Sequence, residues 1–170
     1  PGRTKPLTIY GPRGLKRLYR GLNQAVQGGL DPNGYPLRIE ELGETTRRFK
    51  RYTVTTRRMN HYDTGAIGYR VEGEGKRLAY SGDTETCRAV VELGRNAHLL
   101  ILECSVTDER KMKGHLTPSE CGRIAAEAGC RQLALTHFYP VFDGYDIRGR
   151  VRRAFRGRLT IARDFTSLRV

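Results

Sequence analysis

A layered α/β fold is what the sequence predicts, and three observations carry it. Short apolar runs of strand length alternate with segments whose apolar residues recur at helical spacing, most regularly after Asp83. The middle third is rich in β-branched residues and turn signals. The chain has 170 residues, 38% of them hydrophobic, enough for one domain with a real core.

The elements follow in order. "PLTIYGP" (6–12) is a short apolar run stopped by Gly-Pro, hence a buried strand. "GLKRLYRGLNQAVQGG" places Leu15, Leu18, Leu22 and Val26 at helical spacing. From "YPLRIEEL" onward the pattern is strand-like: "YTVTT" is β-branched, and "EGEGK" reads as a tight hairpin between "GAIGYRVE" and "KRLAYS". After "YSGDT" come a helix ("TCRAVVELGR"), a buried strand ("HLLILE"), a helix, a strand ("RQLALTH"), a helix ("YDIRGRVRRAF") and two short strands ("LTIAR", "TSLRV"). The helix after "GHL" has the fullest end signals: Thr117 as cap, Pro118 in the first turn, Glu120 for a capping box and Gly129 as terminator. Its apolar face is Cys121, Ile124, Ala125 and Ala128. No repeat, low-complexity tract or linker divides the chain, so residues 1–170 read as a single domain. "SVTDERKMKG" (105–114) is the polar connection able to move over a site.

Composition narrows the function classes. The longest uncharged apolar run, "AHLLIL", is far below the roughly 20 residues of a membrane span. No membrane role is expected. Cys87, Cys104, Cys121 and Cys130 form no CxxC pair and read as reduced thiols of a cytoplasmic protein, without a disulfide or an all-cysteine zinc site. Lys and Arg number 31 against 18 Asp and Glu, a formal charge of +13 that favours a polyanionic partner, nucleic acid foremost. The basic residues concentrate in "RRFKRYTVTTRR" (47–58) and "RGRVRRAFRGR" (148–158). Each alone could be a solvated face; the second reads as an exposed helix face able to touch phosphates.

The chemistry-bearing residues are few. Of four histidines, His61, His115 and His137 stand in loops or at strand exits, and Asp83 stands likewise after "RLAY". Loops after the strands build the crevice of an α/β sheet, so these groups can converge. Imidazoles with a carboxylate suit Zn, Mn or Fe. The competing readings are structural: Asp83, with Thr84, could cap the helix ending at Gly94, and any one histidine could be a core residue. His98 reads as structural. Glu103 could orient a ligand from behind or satisfy backbone N–H groups, and is left outside the site.

Taken in order, "PLTIYGPRGL", a His shortly before "GYRVE", "YSGDT", "LLILECS", "HLTPSECGRIAAEAG" and "LALTHFYP" resemble the metallo-β-lactamase superfamily, and within it ribonuclease Z and its short relatives. The resemblance implies a metallo-β-lactamase type αββα sandwich and a site of two zinc ions, with Mn or Fe as other occupants. It implies His61 as a ligand of the first metal, Asp83 as the bridging carboxylate and His137 as a ligand of the second. His115 resembles the non-ligand histidine of the family's His-x-Thr motif, which helps protonate the leaving group, a task suited to imidazole. Two metals would clamp a phosphodiester and activate a shared water.

Two departures shape the expectation. The family's His-x-His-x-Asp-His signature does not occur in these residues, and "PGRTKPLTIYGP" corresponds to the region just after it. The fold is therefore expected to be N-terminally incomplete, with about half of the dinuclear site and, for these residues alone, negligible turnover. Only "EGEGK" stands where tRNA-processing members with a long arm insert it. The expected function is metal-dependent hydrolysis of phosphodiesters by a ribonuclease Z-like endonuclease or phosphodiesterase, on RNA (tRNA 3′ ends included) or smaller substrates. The family is often dimeric, which makes a homodimer the expected assembly. The alternatives are a non-catalytic nucleic-acid-binding domain and a hydrolase of another ester class.

Overall fold

A computed structural model describes residues 2–170, and the chain forms two compact units, residues 1–43 and 44–170. The first unit is a small βαβ arrangement. Strand β1 (Leu7–Gly11) pairs in parallel with β2 (Leu37–Glu41), and helix α1 (Leu15–Ala25) lies between them in sequence. Glu41 fastens the helix start: one carboxylate oxygen accepts the N–H groups of Gly14 (3.1 Å) and Lys16 (3.0 Å), donors that the first turn leaves unpaired. The expected strand-helix-strand order is present. The leucine stripe is not a buried face, since Leu18, Leu22 and Val26 are all at least half exposed.

The second unit is a seven-stranded mixed sheet in simple sequence order: β3 (Thr45–Arg48), β4 (Tyr52–Arg58), β5 (Ile67–Gly73), β6 (Lys76–Tyr80), β7 (Leu99–Glu103), β8 (Gln132–Thr136) and β9 (Arg158–Ile161). The first four strands pair antiparallel; from β6 onward the pairing is parallel. Chemistry sets the change. The β5–β6 link is only Glu74-Gly75, with φ of 51° and 73°, the two left-handed residues of a hairpin turn. Each parallel step instead needs a crossover, supplied by α2 (Arg88–Gly94), α3 (Pro118–Ala128) and α4 (Ile147–Arg152).

The core follows the same logic. Central parallel strands are covered on both faces, so β7 buries Leu99, Leu100, Leu102 and Glu103, and β8 buries Gln132, Leu133, Ala134 and Leu135. Helix α3 packs Cys121, Ile124, Ala125 and Ala128 inward, the face its spacing predicts. Its start carries the full capping box of Thr117 and Glu120, and Gly129 ends it in the left-handed conformation. Burial pushes the Cys130 thiol up to about 12, and raises the Cys121 thiol as well, so these sulfurs act as small apolar groups.

Three expectations need correction. Helix α2 begins at Arg88 with Cys87 at its cap position, so neither Asp83 nor Thr84 caps it. The chain turns instead through Gly82, whose φ is 61°, and Thr84 is fully buried as a bonding partner of other loops. "TSLRV" forms no strand among the described residues, because β9 closes the sheet edge. Arg148 to Arg158 is not one exposed helix face. Arg150 pairs with Asp108 (3.6 Å) and Glu109 (2.6 Å), and Arg152 binds the Gly157 carbonyl (2.5 Å), which holds the turn after α4. The basic stretch 47–58 is mostly the β3–β4 hairpin; β3 was hidden because its residues, Thr-Thr-Arg-Arg, carry no apolar alternation.

Helices α3 and α4 meet at Gly122, where an added Cβ would lie 2.7 Å from the Val151 carbonyl oxygen. Gly122→Ala is expected to lower unfolding stability by about 1–3 kcal/mol through overpacking. Gly21→Ala, in α1 where a Cβ meets nothing, should be neutral or stabilising by up to about 1 kcal/mol. Urea denaturation of both variants checks the contrast.

Candidate metal centre

Parallel pairing of β6, β7 and β8 sets their carboxyl ends along one edge, the place where α/β sheets present side chains to a ligand. Asp83 follows β6, Glu103 ends β7 and His137 follows β8. His61 arrives from the β4–β5 connection and His115 from the connection between β7 and α3. Five connections or strand ends thus deliver five side chains.

Hydrogen bonds lock these loops together. Thr84 Oγ1 accepts the Asn60 N–H at 3.1 Å, and Glu85 N–H donates to the Asn60 carbonyl at 2.9 Å. Tyr62 donates its hydroxyl to the Lys113 carbonyl at 2.9 Å, tying the His61 turn to the far end of the 105–114 loop. There Gly114, at φ 80°, leaves room for rings: a Cβ would come 3.0 Å from His61 Cδ2 and 2.8 Å from Tyr62 Cε2. The loop closest to the site is therefore fitted against His61.

The predicted residues are brought together. One ligand atom from each of His61, Asp83 and His115 lies within 4.8 Å of the others, a set able to hold a metal ion. His137 Nε2 stands 3.6 Å from Asp83 Oδ2. Ring centroids are 5.1 Å apart for His61 and His115, and 6.0 Å for His115 and His137. The tightest triple thus contains His115, and His137 flanks it on the side of Asp83. His137 adopts φ of 62°, an uncommon left-handed conformation for a residue with a side chain, which costs about 1–3 kcal/mol and is typical of functional sites.

Glu103 stands behind this cluster, and sequence reading left it out. Its carboxylate is buried and completely engaged. Oε1 accepts the Thr84 N–H at 3.0 Å and lies 3.0 Å from His115 Nδ1. Oε2 accepts the Ser105 N–H at 3.1 Å and its hydroxyl at 2.6 Å. It therefore satisfies backbone donors, one of the two roles left open by the sequence, and also fixes His115. The signal was available: a glutamate closing the apolar run "HLLILE" must be buried, and a buried carboxylate requires partners. With Nδ1 held from behind, the other ring nitrogen of His115 lies 3.3 Å from the Tyr139 hydroxyl. His98 is elsewhere and accepts the Arg77 N–H at 3.1 Å, a structural role.

The Tyr80 phenol is raised by burial first, then by the charges of Asp83 and Glu103. Beside His137 a hollow of 660 Å³ is lined by Thr136, Phe138, Ala162, Arg163 and Asp164, space for a substrate with one guanidinium at its rim.

Known proteins share this architecture. Ribonuclease Z of Myxococcus xanthus is 28% identical over 221 residues, covering 96% of this chain and 70% of its own length. The metallo-β-lactamase fold protein YhfI of Bacillus subtilis superposes with a TM-score of 0.75 at 24% identity, over 92% of this chain and 62% of that protein. The short form of human tRNase Z does so with a TM-score of 0.72 at 22% identity, over 95% and 65%. The chain spans roughly two thirds of the length of these relatives. The model of the β-lactamase superfamily domain matches residues 1–138. On this match and this fold, the chain belongs to the metallo-β-lactamase superfamily.

Proposed function

We propose that the protein is a metal-dependent phosphodiesterase acting on RNA. The observation that carries this reading is the convergence of His61, Asp83, His115 and His137 on one strand edge, with Asp83 offering its carboxylate free of any backbone duty. The donor set suits zinc, with manganese and iron as chemically acceptable occupants. His61, Asp83 and His137 would hold the metal. Asp83, with two acceptor oxygens, is the residue suited to bridge two ions. Bound metal supplies a water of lowered pKa and positive charge for phosphate oxygens.

The chain's own groups do the rest. Glu103 holds the His115 ring with Nδ1 towards it, which leaves Nε2 directed at Tyr139. In its doubly protonated form, with Nδ1–H on Glu103, His115 donates the Nε2 proton to the departing oxygen of the cleaved ester. Tyr139, within 3.3 Å of that nitrogen, limits where the leaving group can sit. The formal charge of +13 draws in a polyanion, which favours RNA over a neutral ester, and the relatives named ribonuclease Z and tRNase Z point to the same substrate class. Processing of tRNA 3′ ends and a cytoplasmic location are the natural extension of this reading. A homodimer is its natural assembly.

In the full-length protein, Asp83→Asn should abolish hydrolysis of bis-p-nitrophenyl phosphate and of single-stranded RNA, and lower the metal content measured by elemental analysis. Unchanged metal and turnover would sink the proposal. His115→Ala separates the roles of the histidines: turnover should fall by about 100-fold or more, the scale of lost general acid catalysis, while bound metal stays. Loss of metal on that substitution would make His115 a ligand instead. Glu103→Gln should reduce turnover through His115 and shift the alkaline limb of the pH–rate profile; a fall in stability with an unmoved profile would give Glu103 a structural role only.

A further inference from the structure

The opposite end of the parallel strands carries a second concentration of chemistry. A cleft of 520 Å³ lies among the last residues of β5, the start of β6, and the segments leading into β7 and β8, about 15 Å from the strand edge with the histidines, by strand rise. Arg70, Arg77, Arg95 and Arg131 line it, with Glu72 and Glu92.

Both acids are already occupied. Glu72 pairs with Arg70 at 2.9 Å and Glu92 with Arg88 at 2.6 Å. Arg70 is spent as well: its largely buried guanidinium donates to the carbonyls of Leu93 (2.6 Å) and Arg95 (2.8 Å), tying off the end of α2. Arg77 uses only Nε, on the Asn96 carbonyl at 2.8 Å, and leaves its terminal nitrogens to the cleft. Among the described residues, no hydrogen bond or ion pair engages the side chains of Arg95 and Arg131. The guanidinium forks of Arg95 and Arg131 and the free end of Arg77 therefore line one space whose two carboxylates, Glu72 and Glu92, are each paired with another arginine. His98, alongside, reports the resulting field. Desolvation holds its pKa below the ordinary value, and Arg131, Arg77, Lys76 and Arg70 lower it further.

We infer that this cleft is a second ligand site, which binds a phosphate-bearing anion through Arg95, Arg131 and the free end of Arg77. Planar guanidinium forks take phosphate oxygens in pairs, and three forks around one cleft need more acceptor oxygens than a single carboxylate presents. The phosphates can belong to a free polyphosphate or to an RNA backbone. Neither the cleft nor its test depends on the metal-site chemistry, which lies at the other strand ends.

The test uses metal-free protein, with amide chemical shifts followed by NMR during titration with inorganic pyrophosphate, and separately with a short oligouridylate. Saturable shifts at Asn96, Gly129 and Arg131 are expected. The Arg95→Ala/Arg131→Ala double variant should weaken binding by about ten-fold or more, on the scale of lost charge-assisted pairs. Arg148→Ala, on the exposed side of α4 and outside the lining of the cleft, should leave it unchanged. Tighter, salt-dependent binding of oligouridylate would assign the cleft to RNA backbone; binding of pyrophosphate alone would assign it to a free anion. No saturable shift with either probe, or shifts that persist in a double variant whose spectrum is otherwise native, would overturn the inference.

Discussion

The buried carboxylate of Glu103 is the contact on which the site depends. It closes β7 and at that point gathers the Thr84 N–H, the Ser105 N–H and hydroxyl, and His115. Burying a carboxylate costs several kcal/mol unless its oxygens are satisfied, so removing any one donor would leave a penalty that the fold has to avoid. Through Thr84 the same group reaches Asn60 and so the His61 turn. One side chain therefore sets the relation among three loops. His61, Asp83 and His115 need no rigid framework of their own, because the framework stands behind them.

Charge is organised in the same economical way. The surplus of Lys and Arg is not a uniform basic coat. Arg70, Arg150 and Arg152 are consumed internally, closing the end of α2, holding the 108–110 turn and fixing the chain after α4. Arg95 and Arg131 are not so consumed, and Arg163 stands at the rim of the hollow beside His137. Arg95 and Arg131 on one side and Arg163 on the other thus stand at opposite ends of the parallel strands. A long phosphate chain could be met at either.

Much of the architecture was legible because it follows from local signals. The capping box at Thr117, the Glu74-Gly75 turn and the apolar runs of β7 and β8 each declare their state within a few residues. Strand β3 stayed hidden because an edge strand of Thr and Arg has no apolar periodicity to read. The competing reading of Asp83 and Thr84 as caps of α2 was plausible because both are good caps by type. A tertiary demand, the hydrogen bonds of Thr84 to Asn60 and Glu103, took them out of the helix. The histidines and Asp83 could be picked out by their positions at strand exits, whereas their mutual distances depend on strand pairing, which no single stretch encodes. Glu103 was underestimated for a related reason: its partners come from residues 84, 105 and 115, visible only once the loops are folded over one another.

If Asp83 is a metal ligand between His61 and His137, anomalous diffraction at the zinc absorption edge, on crystals of the protein grown with zinc, should show a peak within about 2.0–2.2 Å of an Asp83 carboxylate oxygen, with a His61 or His137 nitrogen at a comparable distance. A zinc-loaded crystal whose peaks all lie away from Asp83 would contradict that role.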